Sequence, residues 1–159
     1  MALQGILQSE QEVYWPEQEE FDFEFDRWTV PDFFDVLVVE DDVTTTRLIK
    51  AIARRSNSLT RIKSFPTAEL AIDHLSILKE RNFTAPDLAI VDVYLKGKLD
   101  GFAVAEQLET LFPETTVAVT SSMHPRLFQE RARRLACPPL YIQKPFTIQE
   151  VAGLFKRLN

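Results

Sequence analysis

From Asp35 onward, short unbroken apolar runs alternate with amphipathic stretches. Val36–Val39 predicts a buried strand that ends in Glu40-Asp41-Asp42. Residues 44–56 set Leu48, Ile49, Ile52 and Ala53 at helical spacing, with Arg47, Lys50, Arg54 and Arg55 on other faces. A strand over 59–65 then leads to Pro66, placed to open a helix that carries Leu70, Ile72, Leu75 and Leu78. Leu88–Val91 predicts a third strand ending at Asp92, and residues 102–112 a third helix with Val104, Leu108, Leu111 and Phe112. Val117–Val119 runs into Thr120-Ser121-Ser122, and Pro125 opens a fourth helix with Phe128, Ala132 and Leu135 on one face. Leu140-Tyr141-Ile142 reaches Lys144-Pro145, and residues 147–158 form a fifth helix with Ile148, Val151, Ala152 and Phe155.

Strands that are apolar on both faces must be covered on both faces, which is the pattern of a parallel sheet with helical crossovers. Right-handed crossovers then make the fold class α/β, a three-layer doubly wound five-stranded parallel sheet. In such sheets the functional site lies at the carboxyl ends of the strands.

The first 35 residues break the pattern. They carry ten acids and a single base, Arg27, for a charge of −9, while the remaining 124 residues carry +3. They also hold eight of the 17 aromatic residues, which is unlike the composition of a disordered tail. Glu20-Phe21-Asp22-Phe23-Glu24-Phe25-Asp26 alternates as a half-buried strand does, although Pro16, Glu17, Glu19 and Glu20 with Phe21, Phe25 and Trp28 also fit a helix. We prefer the strand, and divide the chain into an acidic aromatic extension, 1–33, and a domain over 34–159.

Composition removes several classes. The longest apolar runs are four residues, so no membrane span is expected, and the N-terminus lacks a signal peptide's basic flank and apolar stretch. One cysteine, Cys137, cannot form an internal disulfide, which agrees with a reducing, cytoplasmic setting. The four glycines cannot write a phosphate-cradling nucleotide loop. His74 and His124 have no partner at metal-ligand spacing.

What the strand ends deliver is more specific. Glu40 and Asp41, Asp92, Thr120 and Lys144 come from four strands to one edge. Singly, each has a plain explanation as a turn acid, a β-branched strand residue or a surface lysine. Together they suit phosphoryl transfer to a carboxylate, with Asp92 as nucleophile. Carboxylates this close are tolerable when a hard divalent cation, such as magnesium, sits among them. Lys144 and the Thr120 hydroxyl then serve the remaining phosphoryl oxygens.

At Leu37–Asp42, Ala89–Asp92, Asp100-Gly101, Val119–Ser121 and Tyr141–Phe146 the sequence resembles the receiver domain of two-component response regulators, in the single-domain, chemotaxis-regulator-like form. The resemblance covers roughly residues 34–158 and implies a flavodoxin-like fold. It implies that Asp92 accepts a phosphoryl group from a histidine kinase or phosphotransfer protein, without the protein being a turnover enzyme. It implies magnesium held by Glu40, Asp41, Asp92 and the Tyr94 backbone carbonyl, with Thr120 and Lys144 completing the site. It also implies a switch in which Thr120 moves toward the phosphoryl group and Tyr141 turns inward. The expected output surface is the fourth helix, fifth strand and fifth helix, basic through Arg126, Arg131, Arg133, Arg134, Lys156 and Arg157.

Only Asn159 follows the fifth helix, so a receiver without a separate output domain is expected, signalling to a downstream protein target. With no helix-turn-helix region and an acidic arm, no nucleic-acid partner is expected. A homodimer through the arm, or through the fourth helix, fifth strand and fifth helix, fits the charge balance. The alternatives are a non-phosphorylated receiver-like assembly module and, more weakly, a magnesium-dependent phosphatase, though Asp92-Val93-Tyr94 lacks that class's Asp-x-Asp pattern.

Departures from the family pattern lie after Asp92. Lys96-Gly97 lengthens the loop and predicts greater mobility, and a bulky Tyr94, with Ser122, flanks the path of hydrolytic water, which predicts slow self-dephosphorylation. Cys137-Pro138-Pro139 predicts a stiffened approach to the fifth strand.

Overall fold

The computed structural model describes residues 33–56 and 59–158. The chain divides into two units, Met1–Pro31 and Asp32–Asn159. The alternating 20–26 segment lies outside the described residues.

Strands and helices alternate through the larger unit: β1 (Phe34–Val39), α1 (Val43–Ser56), β2 (Thr60–Phe65), α2 (Ala68–Glu80), β3 (Leu88–Asp92), α3 (Gly101–Leu111), β4 (Thr116–Ser121), α4 (Pro125–Ala132), β5 (Leu140–Gln143) and α5 (Ile148–Leu158). All pairings are parallel, in the order β2-β1-β3-β4-β5. This is the doubly wound sheet that the apolar runs predict.

The two-residue period of a strand sorts the core into two layers. Val36, Val38, Leu88, Ile90 and Ala118 face Ile49 and Ile52 of α1 and Val151, Leu154 and Phe155 of α5. Leu37, Val39, Ala89 and Val91 point the other way, onto Ala68, Ala71 and Leu75 of α2 and Val104 and Leu108 of α3. Val119 joins Phe102, Ala105, Phe128 and Ala132 in a third cluster that seats α4.

Local chemistry sets where the helices begin, and so how the loops leave the strands. Asp42 accepts from the Thr45 N–H (2.7 Å) and hydroxyl at the start of α1. Thr67, Asp100 and His124 are the N-caps of α2, α3 and α4, so Pro66 precedes a cap and does not open its helix. Thr147 and Glu150 bond reciprocally before α5, as a capping box. The fourth helix is shorter than its apolar spacing predicts: it ends at Ala132, and Leu135 reaches the same cluster from the following turn.

Candidate functional site

Parallel register brings the strand ends level. Val39, Val91 and Val119 are aligned, as are Asp92 and Thr120 and, one strand on, Thr120 and Ile142. Glu40 and Asp41 therefore leave β1 beside Asp92, and Lys144 follows β5 with its N–H bonded to the Ser121 carbonyl (2.8 Å). The Lys144-Pro145 peptide is cis.

Lys144 Nζ stands 2.8 Å from Glu40 Oε2 and 2.8 Å from Asp92 Oδ2. The side chains of Glu40 and Asp92 are 2% and 7% exposed and that of Lys144 is 24% exposed, so this triad is shielded from water. Asp41 completes a carboxylate cluster: one oxygen from each of Glu40, Asp41 and Asp92 lies within 4.8 Å of the others. Glu40 Oε1 accepts from Asp42 N–H (3.1 Å), and Asp92 Oδ1 from Tyr94 N–H (3.2 Å).

Three carboxylates thus cluster here, two of them on the half-buried Lys144 ammonium. Burial raises the Glu40 pKa, and the neighbouring Asp92 charge adds to it. Burial alone would lower that of Lys144, but its hydrogen bonds to Asp92 and Glu40 outweigh this and keep it protonated. The exposed Lys96 adds a loose ion pair to Asp41 (3.6 Å). The excess of oxygen donors over cations is the donor set a hard divalent ion takes, and the residues present fit magnesium.

One strand across, Thr120 Oγ1 is buried and has no hydrogen-bond partner. A buried hydroxyl left unpaired costs about 1–3 kcal/mol, which an acceptor entering the site would remove. Tyr141 lies apart from the carboxylates. Its ring stacks on Phe128 (centroids 4.2 Å apart, 14° between planes), and its hydroxyl donates to the carbonyls of Ser121 (3.1 Å) and Met123. The tyrosine is thereby pinned to the segment that follows Thr120. Tyr94 is 57% exposed.

Two features escape a reading of the sequence. Asp100 Oδ1 caps α3 through Phe102 and Ala103, while its Oδ2 takes Arg131 of α4 (2.6 Å). Arg131 also covers the Phe102 ring at 4.1 Å, and Arg126 pairs with Glu130, so part of the expected basic output surface is engaged within the fold. The second feature is the loop after Asp92. Lys96-Gly97 is not left free: Lys98 N–H (2.7 Å) and Leu99 N–H (3.1 Å) both donate to Glu69 Oε1 on α2. These partners are about 30 positions apart, and neither a motif nor a periodicity announces them.

The protein is thus a five-stranded doubly wound domain with an acid-lysine cluster at the carboxyl edge of its sheet, where folds of this class carry their sites. The response regulator receiver domain family matches residues 36–156, and the chain belongs to that family. No curated relative matches it in sequence. Solved structures share the fold. The beryllofluoride-activated DrrB receiver domain has 21% identity and a TM-score of 0.63, over 80% of this chain and 97% of its own. The phosphorylated cyanobacterial phytochrome response regulator RcpA has 22% identity and a TM-score of 0.64, over 79% and 91%. A CheY-like receiver protein from Methanospirillum hungatei has 19% identity and a TM-score of 0.65, over 79% and 93%. Among the described residues, no helix is long and apolar enough to cross a membrane.

Proposed function

We propose that Asp92 accepts a phosphoryl group from a phosphohistidine of a histidine kinase or phosphotransfer protein, and that the protein signals through protein contacts and not by turning over a substrate. The observation that carries this reading is the buried cluster of Glu40, Asp41 and Asp92 around Lys144, with the unpartnered Thr120 hydroxyl beside it.

In the transfer, an Asp92 carboxylate oxygen forms a bond to phosphorus as the phosphorus–nitrogen bond to the imidazole breaks. The electron pair leaves with the imidazole nitrogen. Glu40, Asp41, Asp92 and the Tyr94 carbonyl would hold magnesium, which when bound supplies positive charge between the carboxylates and the incoming phosphoryl oxygens. Lys144 exchanges its bond to Asp92 Oδ2 for one to a phosphoryl oxygen and stays protonated throughout. Thr120 gains the acceptor it lacks. Its movement changes the space beside the Tyr141–Phe128 stack, which is how a charge event at Asp92 reaches the face formed by α4, β5 and α5. The exposed ring of Tyr94 shields the acyl phosphate from water and slows its decay. The domain boundary we propose separates the acidic extension, 1–33, from the receiver, 34–159.

The test is titration of the full chain with beryllium fluoride in magnesium buffer, followed by fluorine NMR. Bound beryllofluoride signals that vanish in Asp92→Asn support the reading; unchanged signals in that variant, or none in the native chain, refute it.

A further inference from the structure

We propose that Glu69, in the first turn of α2, is a positioning residue for the phosphoryl-accepting loop: its carboxylate clasps the backbone at Lys98 and Leu99 and so holds the stretch from Tyr94 to Lys96 against the acidic pocket. The inference rests on the reading of that pocket as a magnesium-dependent phosphoryl site.

The contact is made from both sides. Glu69 Oε1 receives the two N–H groups, and Gly97 between loop and helix is closed down on the same carboxylate. Gly97 has φ +120°, and a Cβ there would lie 2.6 Å from Glu69 Oε2 and 2.9 Å from Oε1. Only glycine can take that backbone conformation with a carboxylate so near. Glu69 Oε2 is itself buried and unpartnered, so the carboxylate is enclosed by the loop. Hydrogen bonds from its own backbone N–H and from Lys98 and Leu99 lower its pKa, so the clasp is ionised at neutral pH.

The two ends of the loop are fixed on elements of the site. Upstream, Tyr94 N–H is bonded to Asp92 Oδ1, and Lys96 reaches Asp41. Downstream, Asp100 caps α3, and Gly101 packs so close to the Asp92 carbonyl that a Cβ would stand 2.1 Å from its oxygen. The clasp ties the middle of the same loop to a different helix. A backbone carbonyl ligand has no side-chain rotamer to adjust; its position is the position of the loop. Ordering that loop in advance removes an entropic cost from cation binding. Groups bonded directly to metal ligands typically change metal affinity about 10- to 100-fold when removed, and the clasp, one step further out, is expected at the low end of that range.

An ordinary first-turn glutamate, serving only the helix dipole, would leave cation affinity alone. The two roles separate in isothermal titration of the full chain with magnesium chloride alone, alongside amide hydrogen exchange at Lys98 and Leu99. Glu69→Ala should weaken magnesium binding about tenfold and remove protection from both amides. Glu69→Gln, which keeps an acceptor oxygen, should restore most of the affinity. Gly97→Ala pushes the clasp apart from the loop side, and should weaken binding similarly. The double variant should be no weaker than the worse single, because one contact is lost either way. Native affinity in Glu69→Ala, or equal losses in Glu69→Gln and Glu69→Ala, would overturn the clasp while leaving the phosphoryl-site reading intact. A native chain that binds no magnesium would defeat that reading first, and the clasp with it.

Discussion

The two ends of the sheet both set carboxylates against a base, and they are built to opposite rules. At the amino end, Asp35 is gripped by two nitrogens of Arg61, Nε at 2.6 Å, and Asp87 accepts the Asp35 N–H at 2.7 Å. Arg61 is 57% exposed and also lies over the Phe33 ring, so each charge is answered and water reaches the pair. At the carboxyl end two buried acids share the half-buried Lys144 ammonium, Asp41 beside them has only a loose pair with the exposed Lys96, and a neighbouring hydroxyl has no partner. The first arrangement satisfies itself. The second is left short of positive charge beside an idle donor, which is what the proposed phosphoryl-accepting role calls for.

The sharpest way to break that contrast is to remove the base at each end. Lys144→Met strands two buried carboxylates and should cost about 3 kcal/mol in magnesium-free urea denaturation. Arg61→Met should leave the midpoint within the scatter of ordinary surface substitutions. Equal losses at the two ends would erase the distinction. Next in size, Gly101→Ala drives a Cβ into the Asp92 carbonyl and should destabilise by about 2 kcal/mol. Smaller again, Asp92→Asn relieves repulsion with Glu40 and should stabilise the magnesium-free protein by about 1 kcal/mol, an advantage that shrinks as magnesium rescues the native chain. A clear loss of stability in Asp92→Asn would mean that this end, too, is satisfied as it stands.

The smallest effect comes from α2, away from both ends. Burial lowers the His74 pKa, with the Lys63 charge adding to it, and the ring packs on Phe65 at 5.0 Å. The unfolded chain therefore binds the proton more tightly. Stability is full above the ordinary histidine value of about 6.5 and declines as pH falls through it toward the lowered folded value. Thermal midpoints between pH 7.5 and 5.5 should show this modest decline in the native chain and a flatter profile in His74→Phe.

The ends of the sheet also differ in how legible they were. Glu40, Asp92 and Thr120 each end an apolar run, Asp41 and Lys144 come one residue after such an end, and parallel register levels the strand ends, so strand pattern alone brings all five to one edge. The Glu69 clasp and the Asp100–Arg131 bridge had no such guide. Each joins two helices or a helix and a loop through a single side chain, and no periodicity reports which polar residue on a helix faces a loop folded back from far along the chain. For the same reason the Lys96-Gly97 insertion predicted a mobile loop, where the fold supplies a tie. Helix ends were blurred by compensation: Leu135 belongs to the α4 cluster without belonging to α4, so its spacing over-extends the helix.

The central claim is that the deficit at the carboxyl end is filled on Asp92. Incubation of the full chain with magnesium and a small acyl phosphate donor, read by intact mass, tests it directly. One added phosphoryl group, absent in chelator and absent in Asp92→Asn, is the predicted result. An unmodified native chain, or a modification that persists in Asp92→Asn, would contradict it.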